Sequence, residues 1–272
     1  RQLDLAAPKV MGVLNLTPDS FSDGGRWTDP EVAFERAQLM FEQGAAIIDI
    51  GGESTRPGAE MVSEQEELDR VMPVIEAIVE RIDCPVSIDT MKPAVMRAAC
   101  SAGVSMINDV NALCSEGALE VAASSGVAVC LMHMQGAPSN MQVSPRYEDV
   151  VEEVGSFLRH RIQACLDIGM SGEVIAVDPG FGFGKSLDNN LQLLRELESL
   201  CQLGFPLLVG LSRKSMFQQI CGAPVQERLP ASLAAATMAV LNGANIVRAH
   251  DVAETIQAVK VAAVLRNMQT LS

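Results

Sequence analysis

The chain has 272 residues, 48% of them hydrophobic, with 34 acidic residues against 20 basic ones and a formal net charge of -14. That balance excludes a general nucleic-acid or anionic-membrane surface and makes every local cluster of cations informative. No apolar run approaches the roughly 18 residues of a membrane span, and the length suits one α/β barrel domain over 1–272.

The start, Arg1-Gln2-Leu3-Asp4, has no initiator Met and no apolar signal core, so a trimmed chain without an export signal is expected. The cysteines Cys84, Cys100, Cys114, Cys130, Cys165, Cys201 and Cys221 form no C-x-x-C and several lie in apolar runs. They read as reduced, buried thiols of a cytoplasmic protein. The three histidines lack ligand spacing, and no structural zinc site is expected.

Eight apolar segments read as strands: Val10–Leu14, Ile47–Ile50, Val86–Ile88, Met106–Ile107, Val127–Met132, Val174–Val177, Leu207–Val209 and Ile246–Val247. Helical patterns fall between them at Val32–Gln43, Glu64–Arg81, Pro93–Ala102, Gly117–Ser124, Tyr147–Ile168 and Leu187–Leu203. Lys214–Ile220, Ala231–Leu241 and Val252–Leu265 complete the set, the last with Val252, Ile256, Val259 and Ala263 on one face. Continuous apolar strands alternating with helices predict a parallel sheet covered on both faces. Eight such units in this length predict a (β/α)8 TIM barrel. An open doubly wound sheet is the alternative, but no G-x-G-x-x-G follows an early strand.

The active face of such a barrel lies at the carboxyl ends of its strands. There the sequence supplies Asn15, then Asp49 and Glu53, then Asp89, then Asn108-Asp109, His133, Asp178, Ser212-Arg213-Lys214, and Arg248 with His250. Asp89, Asp178 and Asn108 suit a flat heterocycle with several N–H groups, because a carboxylate accepts two parallel N–H bonds and an amide both donates and accepts. Each Asp taken singly is equally a helix cap or a structural ion pair. Pro179 removes a backbone donor beside Asp178. Arg56, in Thr55-Arg56-Pro57-Gly58, and Arg248 with His250 suit a phosphate, the latter two at the usual phosphate corner after the last strands. Ser212 is placed to cap a helix opening at Arg213, with Lys214 on its first turn.

Gly184-Lys185-Ser186 has the end of a P-loop, but Pro179 stands where its first Gly belongs, so the stretch reads as a flexible turn. Its alternating Gly180, Gly182 and Gly184 let a flat ligand lie close to backbone. The loop from Asn15 to Gly25 carries glycines and turn residues that suit a lid.

Over essentially its whole length the chain resembles the dihydropteroate synthase family. The resemblance rests on Met11 through Gly25, Gly51 through Gly58, Ser87-Ile88-Asp89-Thr90, Ile107-Asn108-Asp109-Val110, Asp178 through Lys185, Ser212-Arg213-Lys214-Ser215 and Arg248-Ala249-His250. It implies a transferase joining 6-hydroxymethyl-7,8-dihydropterin diphosphate to p-aminobenzoate, with release of diphosphate. By the family's pattern Asp89, Asn108, Asp178 and Lys214 hold the pterin. Asn15, Thr55, Arg56, Arg248 and His250 hold the diphosphate, with Mg2+ at Asn15. Phe21, Pro57, Phe183 and Ser212 line the p-aminobenzoate site. Asp89, Lys214 and Asp23 form the catalytic set, Asp23 through closure of the first loop. The resemblance also implies inhibition by sulfonamides and a homodimer, for which the late apolar helices are the expected surface. A pterin-binding methyltransferase shares the acids and the amide but has no use for Lys214, Arg56, Arg248 and His250. A homologue that binds pterin without turnover is the other alternative. Ala249 and Met91 depart from the family's commoner residues, at positions where little effect is expected.

Overall fold

Side chains on a strand alternate between two faces, and in this chain that alternation decides what is inside the barrel. The computed structural model describes residues 3–17, 29–55, 58–59, 61–138 and 140–269. Of the sequence-predicted site residues, Phe21, Asp23, Arg56 and Pro57 lie outside the described residues.

Among the described residues there are eight strands: β1 (Lys9–Asn15), β2 (Ile47–Gly51), β3 (Val86–Asp89), β4 (Met106–Asp109), β5 (Ala128–Met132), β6 (Ile175–Asp178), β7 (Leu208–Gly210) and β8 (Ile246–Ala249). They are parallel and ordered β6-β5-β4-β3-β2-β1-β8-β7. A bridge between Val177 and Leu207, with Val177 N donating to Pro206 O at 2.9 Å, joins the two ends into a nearly closed (β/α)8 barrel.

The helices are α1 (Pro30–Glu42), α2 (Glu64–Arg81), α3 (Pro93–Ser101), α4 (Ala118–Ser125), α5 (Val150–Asp167), α6 (Leu187–Arg195), α7 (Leu197–Cys201), α8 (Met216–Cys221), α9 (Leu229–Leu241) and α10 (Val252–Gln269). Their starts follow from local chemistry. Asp29 caps α1 and Pro30 follows it, Ser63 caps α2 through Glu66 N, and Ser186 with Asn189 makes a reciprocal capping box on α6. Two boundaries differ from expectation. The pattern 187–203 breaks at Glu196 into two helices, although no residue type there marks the break. The helix expected from Lys214 starts at Met216, because Arg213 is left-handed with φ 57°.

The outward strand residues, such as Ile48, Ile50, Ile88, Ile107, Val129, Val177 and Val247, join the main core against the helices. The inward residues form a second, smaller core of Met11, Ile47, Met106, Cys130, Ala176, Leu208 and Ile246, floored by Leu3 and Leu5. Two residues further along most of these strands, on the same inward face, stand Asp49, Asn108, Asp178 and Arg248. The barrel interior is therefore apolar at its floor and polar at its mouth.

A buried charge cluster holds the base of the loop after β2. Lys92 Nζ donates to Glu53 at 2.9 Å and to Glu67 at 2.5 Å, and Glu67 is fully buried. Glu53 also accepts from Val62 N at 3.0 Å. Removing one partner of a buried ion pair leaves an uncompensated charge, at about 3–5 kcal/mol. Lys92→Met is expected to lower the unfolding free energy by about that amount in a urea titration. A change below about 1 kcal/mol would show that the two glutamates are not held by this lysine.

Candidate active site

The mouth of the barrel gathers charge that could not stand alone. Asp49 is fully buried, and Asp89, Asn108 and Asp178 are nearly so. Burying a carboxylate is costly unless it is paired and hydrogen-bonded. The pairing comes from Arg248, whose Nε donates to Asp49 at 2.6 Å and whose Nη2 donates to Asp89 at 2.7 Å. Asn108 Nδ2 donates to the same Asp49 oxygen at 3.1 Å. Oδ1 of both Asp49 and Asp89 has no hydrogen-bond partner among the described residues. Asp89, Asn108, Asp178, Phe183, Lys214 and Arg248 line one small cavity. Lys214 also borders an adjacent cavity of about 340 Å³, with Gln142, Ser186 and Met216 on its walls.

Strand parity separates the chemistry from the scaffold. Asn108 faces in and Asp109 does not: the Asp109 carboxylate accepts from the backbone N–H of Asn111 at 2.7 Å and of Leu113 at 2.8 Å, which shapes the turn after β4. Asp178 faces in and accepts from Gly180 N at 2.7 Å. Pro179 offers no N–H to Asp178, and the backbone donor comes instead from the residue after it, Gly180.

Burial raises the acids and lowers the bases. It pushes the Asp89 carboxyl up to about 7, with Arg248 pulling the other way and Asp49 adding to the rise. It pushes Asp178 up to about 6 against the hydrogen bond from Gly180 and the charge of Lys214. Lys214 falls to about 8 through burial, opposed by Asp178. Arg248 is raised above its ordinary value, because Asp49 and Asp89 together outweigh its burial. It remains a cation throughout.

The loop after β6 is not the flexible turn its glycines suggested. Gly180, Gly182 and Gly184 all have positive φ, at 71°, 80° and 63°. A Cβ on Gly180 would lie 1.9 Å from His133 O, and one on Gly184 would lie 2.3 Å from Gln135 O. Lys185, buried, donates to the carbonyls of Gly180 at 3.0 Å, Phe183 at 3.1 Å and His133 at 3.3 Å, and its Nζ lies 3.0 Å from His133 Nδ1. Asn190 Oδ1 accepts from Gly182 N at 2.7 Å, and Tyr147 Oη donates to Gly184 O at 2.8 Å. This bracing presents Phe183 to the cavity, where Lys214 Nζ lies 4.3 Å from its ring centroid. Sequence reasoning missed Lys185 and left Asp49 without a role. The signal for Asp49 was available: a lone carboxylate inside the apolar run Ile47-Ile48-Asp49-Ile50.

The residues read from sequence as an anion group face different partners. Arg248 turns into the barrel mouth. His250 instead meets Ser212, its backbone N donating to Ser212 Oγ at 3.2 Å and its Nδ1 lying 3.0 Å from the same oxygen. Ser212 does not cap a helix as expected, because the chain turns left-handed at Arg213. Burial, then Arg248, lowers His250 to about 4, so the ring is neutral at pH 7. Asn15 ends β1 beside Gly51, and Thr55 follows β2, both half-buried.

The family model described as "Pterin binding enzyme" matches residues 11–250. The chain is 51% identical to the dihydropteroate synthase of Haemophilus influenzae over 95% of this chain and 94% of that one. It is also 51% identical to the Escherichia coli K12 enzyme, over 95% and 92%. Among solved structures, a Yersinia pestis dihydropteroate synthase in a sulfonamide drug complex superposes with a TM-score of 0.94 at 51% identity, covering 97% of this chain and 96% of that one. This chain belongs to the dihydropteroate synthase family of pterin-binding enzymes. It is a transferase that makes 7,8-dihydropteroate in folate biosynthesis. That assignment sets aside the methyltransferase and inactive-homologue readings. A Xanthomonas albilineans dihydropteroate synthase has been solved in complex with 7,8-dihydropteroate, with a TM-score of 0.88 at 46% identity over 97% of this chain and 95% of that one.

The Asp89 carboxyl is raised, so it is protonated and neutral below about pH 7 and ionised above. In a neutral acid one oxygen donates, so it cannot accept parallel N–H bonds on both oxygens, and it has no charge to offset a developing cation. For the free enzyme, kcat/KM for the pterin substrate is expected to rise with pH through about 7. In Asp89→Asn that limb moves down toward about 6, where Asp178 titrates. A pH–rate profile with an unchanged limb in the variant would remove Asp89 from this role.

Proposed function

We propose that the dihydropterin ring sits on Asp89, Asn108, Asp178 and Lys214, and that the diphosphate and p-aminobenzoate occupy the rim above it. The observation that carries this is the convergence of two buried acids, an amide and a lysine in one cavity beside Phe183. The acids accept N–H groups of the ring edge, and Lys214 donates to a ring acceptor. Arg248 already donates to Asp89, so a ring donor at that oxygen shares or displaces one guanidinium contact, while Asp49 keeps hold of Nε. Asn15, Thr55, Arg56, Arg248 and His250 are assigned to the diphosphate. Phe21, Pro57, Phe183 and Ser212 are assigned to the aminobenzoate, and Asp23 to closure of the loop that carries it.

The reaction breaks the bond between the substrate methylene and the diphosphate oxygen, and the bonding pair leaves with diphosphate. Positive charge then delocalises into the electron-rich dihydropterin, where ionised Asp89 and Asp178 favour it. The arylamine nitrogen supplies a pair to the methylene and gives up a proton. We read this displacement as dissociative, with no covalent enzyme intermediate, because the chain's contribution is positioning and charge. Asn15 offers a neutral amide oxygen at the rim, and among the described residues no three His, Cys, Asp or Glu side chains form a metal-binding group. Such a sparse oxygen set fits Mg2+, which retains waters and takes phosphate oxygens. Bound there, Mg2+ would neutralise charge on the leaving diphosphate.

Calorimetry with Mg2+ and pterin diphosphate, followed by p-aminobenzoate and a diphosphate assay, tests the assignment. Binding followed by stoichiometric release is expected, with Asp89→Asn losing about a hundredfold or more in kcat. Competition between a sulfonamide and p-aminobenzoate is expected too, since the Yersinia relative was solved with such a drug. Pterin binding without release in the wild type would refute the assignment of the rim.

No helix among the described residues is long and apolar enough to cross a membrane. We propose a cytoplasmic location because the enzyme's curated relatives belong to a soluble biosynthetic family. Val261, Val264, Leu265 and Met268 of α10 and Met238 of α9 leave large apolar side chains exposed. They support a homodimer through these helices. Sedimentation is expected to give a dimer that Val264→Asp converts to monomer. A wild-type monomer at micromolar concentration would refute it.

A further inference from the structure

Arg213 separates two site residues, Ser212 and Lys214, and has a left-handed backbone (φ 57°). L-residues avoid that region because Cβ crowds the following carbonyl. A residue persists there when its surroundings over-determine it, and here they do. Its N–H donates to Ser232 Oγ at 2.9 Å, and its carbonyl accepts from Arg228 Nη1 at 3.0 Å. Its guanidinium grips Asp251 with two bonds, Nε to Oδ2 at 2.9 Å and Nη2 to Oδ1 at 2.5 Å.

The holding groups are themselves held. Arg228 is buried and also donates to Ala223 O at 3.1 Å and Gln218 Oε1 at 2.7 Å. Ser232 Oγ donates to Arg228 O at 2.8 Å. Asp251 O accepts from Thr255 Oγ1 at 2.6 Å. Arg213 to Asp251 and Ser212 to His250 are two parallel ties between the loops after β7 and β8. A non-left-handed residue 213 would rotate the flanking peptides and swing Lys214 away from Phe183.

We propose that Arg213 is a positioning residue, a turn forced left-handed by Arg228, Ser232 and Asp251 so that Lys214 enters the cavity and Ser212 meets His250. Its guanidinium faces Asp251 and leaves substrate contact to its neighbours. This rests on the reading of Lys214 as a ring ligand.

Steady-state kinetics on both substrates tests it, with pterin affinity by calorimetry. Asp251→Asn and the milder Ser232→Ala are expected to lower kcat/KM for the pterin substrate about tenfold and threefold. Glycine adopts positive φ freely, so Arg213→Gly is expected to lose at most about threefold. Added to Asp251→Asn, it is expected to restore at least about threefold. A purely structural loss would not be rescued by removing a second side chain. A loss of about a hundredfold or more in folded Arg213→Gly would mean that the guanidinium touches substrate, and would overturn the proposal. Wild-type kinetics in both Ser232→Ala and Asp251→Asn would also overturn it. Lys214→Met serves as the control: activity lost there but kept in the clamp variants sinks the clamp alone, whereas full activity in Lys214→Met sinks the reading of Lys214 and the clamp's purpose with it.

Discussion

A nearly closed barrel of parallel strands has an inside shielded from water, and every second residue of every strand must live there. The chain meets this constraint with pairs of inward residues two apart, apolar and then polar: Ile47 with Asp49, Met106 with Asn108, Ala176 with Asp178, Ile246 with Arg248. The apolar member fills the floor and the polar member lines the mouth. A slip of one residue on β2, β3 or β6 would send its carboxylate into the helix-facing core and an isoleucine or valine into the mouth. Fold and site are thus specified by the same two-residue period.

The polar layer creates an electrostatic difficulty, since three aspartates face one another in a poorly solvated space. Arg248 reconciles two of them and stays cationic under all ordinary conditions. A lysine there would offer a point charge without the fork that reaches Asp49 and Asp89 together. Asp178 is managed differently, by a backbone N–H and by Lys214. The result is a set of acids ready to exchange internal donors for those of a ligand.

Much of this could be read from residues alone, and parity explains why. The strands are short and apolar, their ends carry the polar residues, and alternation tells Asn108 from Asp109. What could not be read depends on contacts distant in sequence. Lys185 looks like the tail of a failed phosphate motif until the His133 carbonyl and ring are seen against it. Ser212 looks like a helix cap until Arg213 turns left-handed, a conformation imposed by Arg228, Ser232 and Asp251. The break at Glu196 has no marker in the residue types. These are tertiary effects overriding local preference.

The apolar floor has a further consequence. Leu3 and Leu5 pack against the layer of Met11, Ile47, Met106, Leu208 and Ile246, which makes an apolar floor beneath the polar residues. Anything seated on Asp89, Asn108 and Asp178 has come through the mouth and returns through it. A second molecule resting on the rim would then stand in that mouth. With the pterin placed as proposed, the geometry favours its arriving before the molecule on the rim, and the joined product leaves through the same mouth as one molecule.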